Sequence, residues 1–256
     1  MTHQELCTWI RREVLRTGFE TGKMHYGGTS SCVEILVSLH YIIMNDDDQI
    51  LIDKGHCARA LHAIWLDKKL ITQEQYDSYG KDGGFLGGQL IAGKPKCVQC
   101  STGSLGNTLG IGIGIAYANR LDKKDGNIYI LLSDGALQEG SIWEAADFAG
   151  RHQLTSITCI IDMNKLGATG SSNIQLSETT GLISRFESFG WYTNIVDGHD
   201  IQQIRGGVLN FHSDKPLLIV AKTTKGYGVR ELEGKASSHH GTLSFDQYQK
   251  AIKELM

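Results

Sequence analysis

The chain has 256 residues, 41% hydrophobic and 21% charged, with a formal net charge of −3. That describes a globular chain long enough to bury a core, and it leaves no basic footprint for nucleic acid. No apolar run approaches the roughly 20 residues a membrane span needs, and the opening MTHQELCTWIRREVL lacks the apolar centre of a secretion signal. A cytoplasmic protein with six free thiols is expected.

In chain order, the opening segment reads as an amphipathic helix, followed by a helix over 31–44 and a strand at QILI (49–52). Helices over 57–67 and 106–120 precede a strand at NIYILL (127–132). A helix over 141–152 leads to ITCIID (157–162), one over 180–189 to TNIVD (193–197), and one over 200–211 to PLLIVAK (216–222). SFDQYQKAIKELM reads as a closing helix. Continuous apolar strands alternating with helices imply an α/β fold, a parallel sheet with helices on both faces. Without a Pro- or Ser-rich linker or an internal repeat, residues 1–256 read as one domain. The 31 glycines, against two prolines, cluster at 83–93, 103–114 and 226–228, which suggests loops that wrap a ligand.

Ligands of such sheets sit beyond the carboxyl ends of the strands. Ser133-Asp134-Gly135 and Asp162-Met163-Asn164 end two strands there. Mg2+ takes six oxygen ligands. Asp134 offers a charged oxygen, Asn164 a neutral one, and a backbone carbonyl just after Asn164 a third, with phosphate oxygens and water completing the sphere. Gly135 would let backbone approach the phosphates. The competing reading is an ordinary strand-end turn, with the Asp as a helix cap. Two further patterns remain open. Cys97 and Cys100 form a CxxC with no second pair nearby in sequence, so zinc has little support. Gly106, Gly110 and Gly114 recur every four residues, which suits close helix packing either between subunits or inside the domain.

SDGALQEGSIWEAADFAG together with DMNKLGATG resembles the thiamine diphosphate signature of the transketolase family. GKMHYGG, DKGHCARALHAIW, STGSLGNTLGIGIGIA, VDGHD, TKGYGV and the late HHG resemble family segments in the same order. The likeness covers nearly the whole chain and is to the first third of a full-length transketolase or to the N-terminal subunit of a split one. It implies that Asp134, Asn164 and the Leu166 carbonyl hold Mg2+. Ser133, Gly135 and His56 would face the diphosphate, Gly103 and Leu105 the cofactor rings, and Glu139 the cofactor at the boundary with the other half. His25 and Gln89 would face the substrate, and His240 the substrate or the cofactor-bound intermediate. His25, His56 and His240 are then the catalytic candidates, since imidazole moves protons near neutral pH.

The sequence departs from the family pattern at Ser133 (a glycine in the family), Tyr26 (proline), Gln89 (histidine) and Asn107 (glutamine). The cofactor half looks kept and the substrate-facing wall altered. The glutamate that activates the cofactor ring lies in the family's second domain. The resemblance therefore implies an enzyme active only with a separate C-terminal, pyrimidine-binding subunit, in a heterotetramer with two copies of each chain. The implied reaction moves a two-carbon ketol unit from a ketose, ordinary or modified, to an aldehyde. Other thiamine diphosphate chemistry (acyloin formation or keto-acid decarboxylation) and a non-catalytic relative that has lost the cofactor are the alternatives.

Overall fold

The computed structural model describes residues 1–167, 179–211 and 214–256. The apolar runs form one parallel sheet: β1 (Gln49–Ile52), β2 (Ile128–Ser133), β3 (Ile157–Met163), β4 (Tyr192–Asp197) and β5 (Leu217–Lys222), in spatial order β1-β2-β3-β5-β4. Every residue of β2 and β3 is buried, because helices cover both faces. Side chains alternate across the sheet with the period of two that a pleated strand imposes. Tyr129, Leu131, Leu217 and Ile219 enter one apolar cluster; Ile128, Ile130, Leu132, Leu218 and Val220 enter the other.

The first face is covered by α1 (His3–Thr21), α3 (Val33–Ser38), α4 (Ala58–Asp67), α9 (Ile201–Leu209) and α10 (Phe245–Glu254). The second is covered by α6 (Thr108–Asp122), α7 (Gly140–Arg151) and α8 (Thr179–Ser188). The α/β expectation holds, with helices on both faces, and all six cysteines are free thiols. No helix among the described residues is long and apolar enough to cross a membrane.

One expected helix differs. The segment 31–44 is not continuous: α2 (Tyr26–Ser30) precedes it, α3 ends at Ser38, and a π turn spans Leu39–Ile43. The glycine pair inside α2 has a steric reason. A Cβ on Gly27 would strike Ser238, and one on Gly28 would strike the His56 ring. A short helix, α5 (Gln73–Asp77), was not expected. Thr72 and Gln75 cap it reciprocally, a box written in the sequence as TQEQ.

The two readings of the glycine stripe now separate. Gly106 lies before α6 with φ +86°, and a Cβ there would meet Glu139, so its role is internal. Gly110 and Gly114 have open space around them, on the same face of α6 as the exposed Ile111 and Leu121.

Candidate functional site

Parallel pairing sets Ser133 of β2 beside Asp162 of β3, so the loops leaving both strands start side by side. Asp134 opens a 3-10 turn, Asp134–Gln138, and is 6% exposed. One of its oxygens accepts the Lys165 N–H at 2.6 Å. Burial, then the neighbouring charge of Asp162, pushes the Asp134 carboxyl above its ordinary pKa. The positive charge of Lys54 and the Lys165 N–H offset this only in part. Asn164 donates to Asp162 at 3.3 Å, and its carbonyl oxygen accepts the Leu166 N–H at 3.1 Å. The Lys165 N–H thus ties the loop after β3, which carries Asn164, to Asp134 at the end of β2. The Leu166 carbonyl, expected to face a metal, accepts from the Lys225 ammonium at 2.7 Å; a carbonyl has a second lone pair for another partner. Residues 168–170, the end of DMNKLGATG, lie outside the described residues.

Ser133, in place of a glycine, is absorbed locally. Its hydroxyl accepts the Ala136 N–H at 3.3 Å and caps the turn. A Cβ on Gly135 would meet nothing closer than that hydroxyl at 3.7 Å, so the space beside this backbone is open.

Beneath the loops lies Asp162, fully buried. It pairs with the buried Lys54 ammonium and accepts from the Thr223 hydroxyl and from Ser31 at 2.6 Å. Burial works against this charge, but Lys54 and the hydrogen bonds outweigh it and hold the carboxyl below its usual range. The next motif is fixed by Asp53, whose carboxylate accepts the Gly106 N–H at 3.0 Å and the Thr108 N–H at 3.3 Å. That ties the DKGH turn to the STGSLG loop and the start of α6. Within that loop Gly103 has φ +129°, is exposed and has nothing within 4 Å of a built Cβ. Leu105 is half-buried against the second core cluster. Glu139 is exposed at the start of α7, beside Gly106.

The histidines gather on the other side of Lys54. His25 precedes α2, and His56 sits in the turn Gly55–Cys57. The Thr29 hydroxyl lies 2.6 Å from the His25 carbonyl and 3.1 Å from that of His56, joining the two turns. The ring centroid of His25 is 4.1 Å from that of His240 and 6.3 Å from that of His56. His239 lies 5.1 Å from His56 and 4.7 Å from His240. Burial, reinforced by neighbouring positive charge, lowers the pKa values of His25 and His56, and that of His239 to about 4. These three rings are neutral at pH 7, able to accept a proton at one nitrogen and donate from the other.

Lys225 bridges the two halves of the site. Its Nζ reaches the Leu166 and Gly167 carbonyls at 2.7 and 3.0 Å and His239 Nδ1 at 3.1 Å. Burial and the positive charge of Lys54 lower its pKa to about 8. Sequence reasoning assigned no role to Lys225, Lys54, Asp162 or His239, although the motifs TKGYGV, DKGH, IIDMN and HHG contain them. The histidine of VDGHD proves structural: His199 accepts the Thr224 N–H at 2.8 Å, lies 3.2 Å from Glu34 and stacks on Tyr227. It thereby holds the backbone just before Lys225. Gln89 is exposed and packs over Gly55, next to His56; its carbonyl oxygen accepts from Thr102 at 3.0 Å. Its amide N–H groups remain to face a ligand.

An oxygen-rich strand-end loop, a glycine loop held open at its mouth and a cluster of neutral histidines define a parallel-sheet protein built to hold a charged, ring-bearing cofactor. Residues 41–255 match the family model described as transketolase, thiamine diphosphate binding domain, and the chain belongs to the transketolase family. It is 32% identical to one of the subunits of the apulose-4-phosphate transketolase of Phocaeicola vulgatus, over 96% of this chain and 90% of that one. It is 30% identical to the 6-deoxy-6-sulfo-D-fructose transketolase subunit SqwG of Clostridium sp., over 100% and 98%. The crystal structure of Campylobacter jejuni transketolase superposes with a TM-score of 0.88 at 26% identity, and there this chain spans only 43% of the longer one.

Proposed function

We propose that this chain is the diphosphate-side subunit of a two-chain, thiamine diphosphate- and Mg2+-dependent transketolase. It transfers a two-carbon ketol unit from a ketose, or a modified ketose, to an aldehyde. The observation that carries this reading is the convergence of Asp134, Asn164 and the histidines on one sheet edge, with Lys225 between them, in a chain of this family. The buried Asp134 carboxylate, beside the second carboxylate of Asp162, and the open space beside Gly135 fit a hard cation carrying a diphosphate.

Asp134 and Asn164 would hold the cation with the Leu166 carbonyl, and Gly135 and His56 would face the diphosphate. Gly103 and Leu105 would line the cofactor rings. When bound, thiamine diphosphate supplies the carbon nucleophile that attacks the ketose carbonyl. His25 and His240 would orient substrate hydroxyls and move protons at their ring nitrogens. The chain would act as one cofactor-binding domain in the cytoplasm, consistent with its composition.

A separate pyrimidine-side subunit is part of the proposal. Both subunit-named relatives match this chain over nearly their whole length, which supports it. So does the face of α6 where Gly110, Ile111, Gly114 and Leu121, uncovered among the described residues, leave a smooth apolar surface. Glu139 would sit at the boundary with that partner. Two copies of each chain are the expected assembly. Purified alone with thiamine diphosphate and Mg2+, the chain is expected to show no ketol transfer in a coupled spectrophotometric assay, and addition of the partner to restore it. Sustained turnover by the lone chain, contamination excluded, would refute the two-chain reading.

The altered wall gives a second prediction. Gln89 stands where other family members carry a histidine, so Gln89→His is expected to shift relative kcat/KM about tenfold toward ordinary phosphorylated ketoses. A donor panel assayed with the reconstituted pair measures it. An unchanged profile would remove Gln89 from donor selection.

A further inference from the structure

The histidine cluster has a coordination geometry that the transfer reaction does not require. One ligating atom from each of His25, His239 and His240 lies within 4.8 Å of the others, and no other three His, Cys, Asp or Glu side chains converge so among the described residues. The rings meet at steep angles, 65°, 71° and 78°, so none of the three stacks face to face on another. His25 Nδ1 is buried and has no hydrogen-bond partner. An orphaned buried nitrogen is uncommon in a folded protein and marks a place where a partner is missing.

We propose that His25, His239 and His240 form a binding site for a borderline divalent transition cation, of which Zn2+ is the representative, and that filling it inhibits the enzyme. Zinc bonds imidazole nitrogen at about 2.0–2.1 Å and accepts three histidines with a fourth position left open. The widest of the present separations must close by roughly 1.5 Å to reach tetrahedral spacing. His240 is exposed and precedes Gly241, so its ring can turn to do this. Lys225 Nζ lies 3.1 Å from His239 Nδ1, and a cation taking that nitrogen must displace the ammonium from it. The nearness of that amine to a dication argues for affinity in the micromolar class. Mg2+ prefers oxygen and keeps its waters, so the two sites sort metals by ligand chemistry. The inhibitory consequence rests on the proposed roles of His25 and His240; the binding itself does not.

The test is a calorimetric titration of the full chain with Zn2+. One saturable site per chain is expected, undisturbed by millimolar Mg2+ and retained in Asp134→Ala, which separates it from the proposed diphosphate site. It is also expected to persist in the Cys97→Ser/Cys100→Ser double variant, and to weaken at least tenfold in His240→Ala and His25→Ala. Because His240 is exposed, its variant tests the site without risk to the fold. Co2+ in place of Zn2+ should give a visible spectrum without the intense thiolate charge-transfer band. No saturable uptake, uptake unchanged in His240→Ala, or loss of uptake in the double cysteine variant or in Asp134→Ala would each overturn the proposal.

Discussion

Asp134→Ala is expected to abolish Mg2+-dependent binding of thiamine diphosphate, raising the apparent Kd roughly 100-fold or more, about 3 kcal/mol. Asp134 is the charged oxygen donor at the end of β2, and it is already buried beside a second carboxylate. A divalent cation is what makes two neighbouring buried carboxylates and a diphosphate compatible. Asn164→Ala removes a neutral ligand and should cost less, about tenfold. Titration calorimetry of the reconstituted pair measures both, with far-UV circular dichroism to confirm the fold. The raised pKa adds a pH signature. The carboxyl must be ionised to ligate, so cofactor affinity should fall as pH drops through that raised value, sooner than an ordinary aspartate would allow. If both variants bind cofactor as the wild type does, the metal-site assignment is wrong.

How much of this site was readable in advance depends on whether a residue announces itself locally. β2, β3 and β5 were legible as short apolar runs whose burial on both faces leaves no competing helical period, whereas the edge strand β4, with only Val196 buried, was legible from its place in the strand–helix alternation. The α2–α3 region was less legible. Gly27 and Gly28 lower helix propensity, and the reason they are helical lies in Ser238 and His56, far away in sequence. Asp134 and Asn164 were legible as strand-end residues, since strand ends locate ligand sites in parallel sheets. Lys225 was not: a lysine in a glycine-rich turn looks solvated, and only folding reveals that two carbonyls and His239 surround its amine. His239 was visible as half of a histidine doublet, but no spacing rule says which of two adjacent imidazoles turns inward.

Lys54 was hidden in the same way, since its partner is 108 residues away, and its loss is expected to cost the most stability. Lys54 and Asp162 are fully buried and paired, and the Asp162 carboxylate also receives Ser31 and Thr223. Four segments meet at that carboxylate: the start of α3, the turn after β1, the end of β3 and the end of β5. Those after β1, β3 and β5 lead directly into loops of the candidate site. Lys54→Met would leave Asp162 charged in a dry site with only hydroxyl and amide donors. Breaking one side of such a pair costs about 3–5 kcal/mol, which for a chain of this size lowers Tm by roughly 6–20 °C. The sign of the pH dependence follows from Asp162. Its folded pKa lies below the unfolded value of about 3.9, so its contribution is fully present above that value and is lost as pH falls through the folded one. In Lys54→Met that pairing contribution should be largely gone at neutral pH, so the variant's stability should fall less steeply on acidification than the wild type's. Adding Asp162→Leu to Lys54→Met should recover much of the lost stability, because no charge is then left unpaired. The double variant should still lose cofactor affinity, since the loop that carries Asn164 would no longer be anchored at its root. Thermal unfolding of the three proteins, paired with cofactor titration, separates the two effects. A Lys54→Met protein with wild-type Tm would remove Lys54 from the framework.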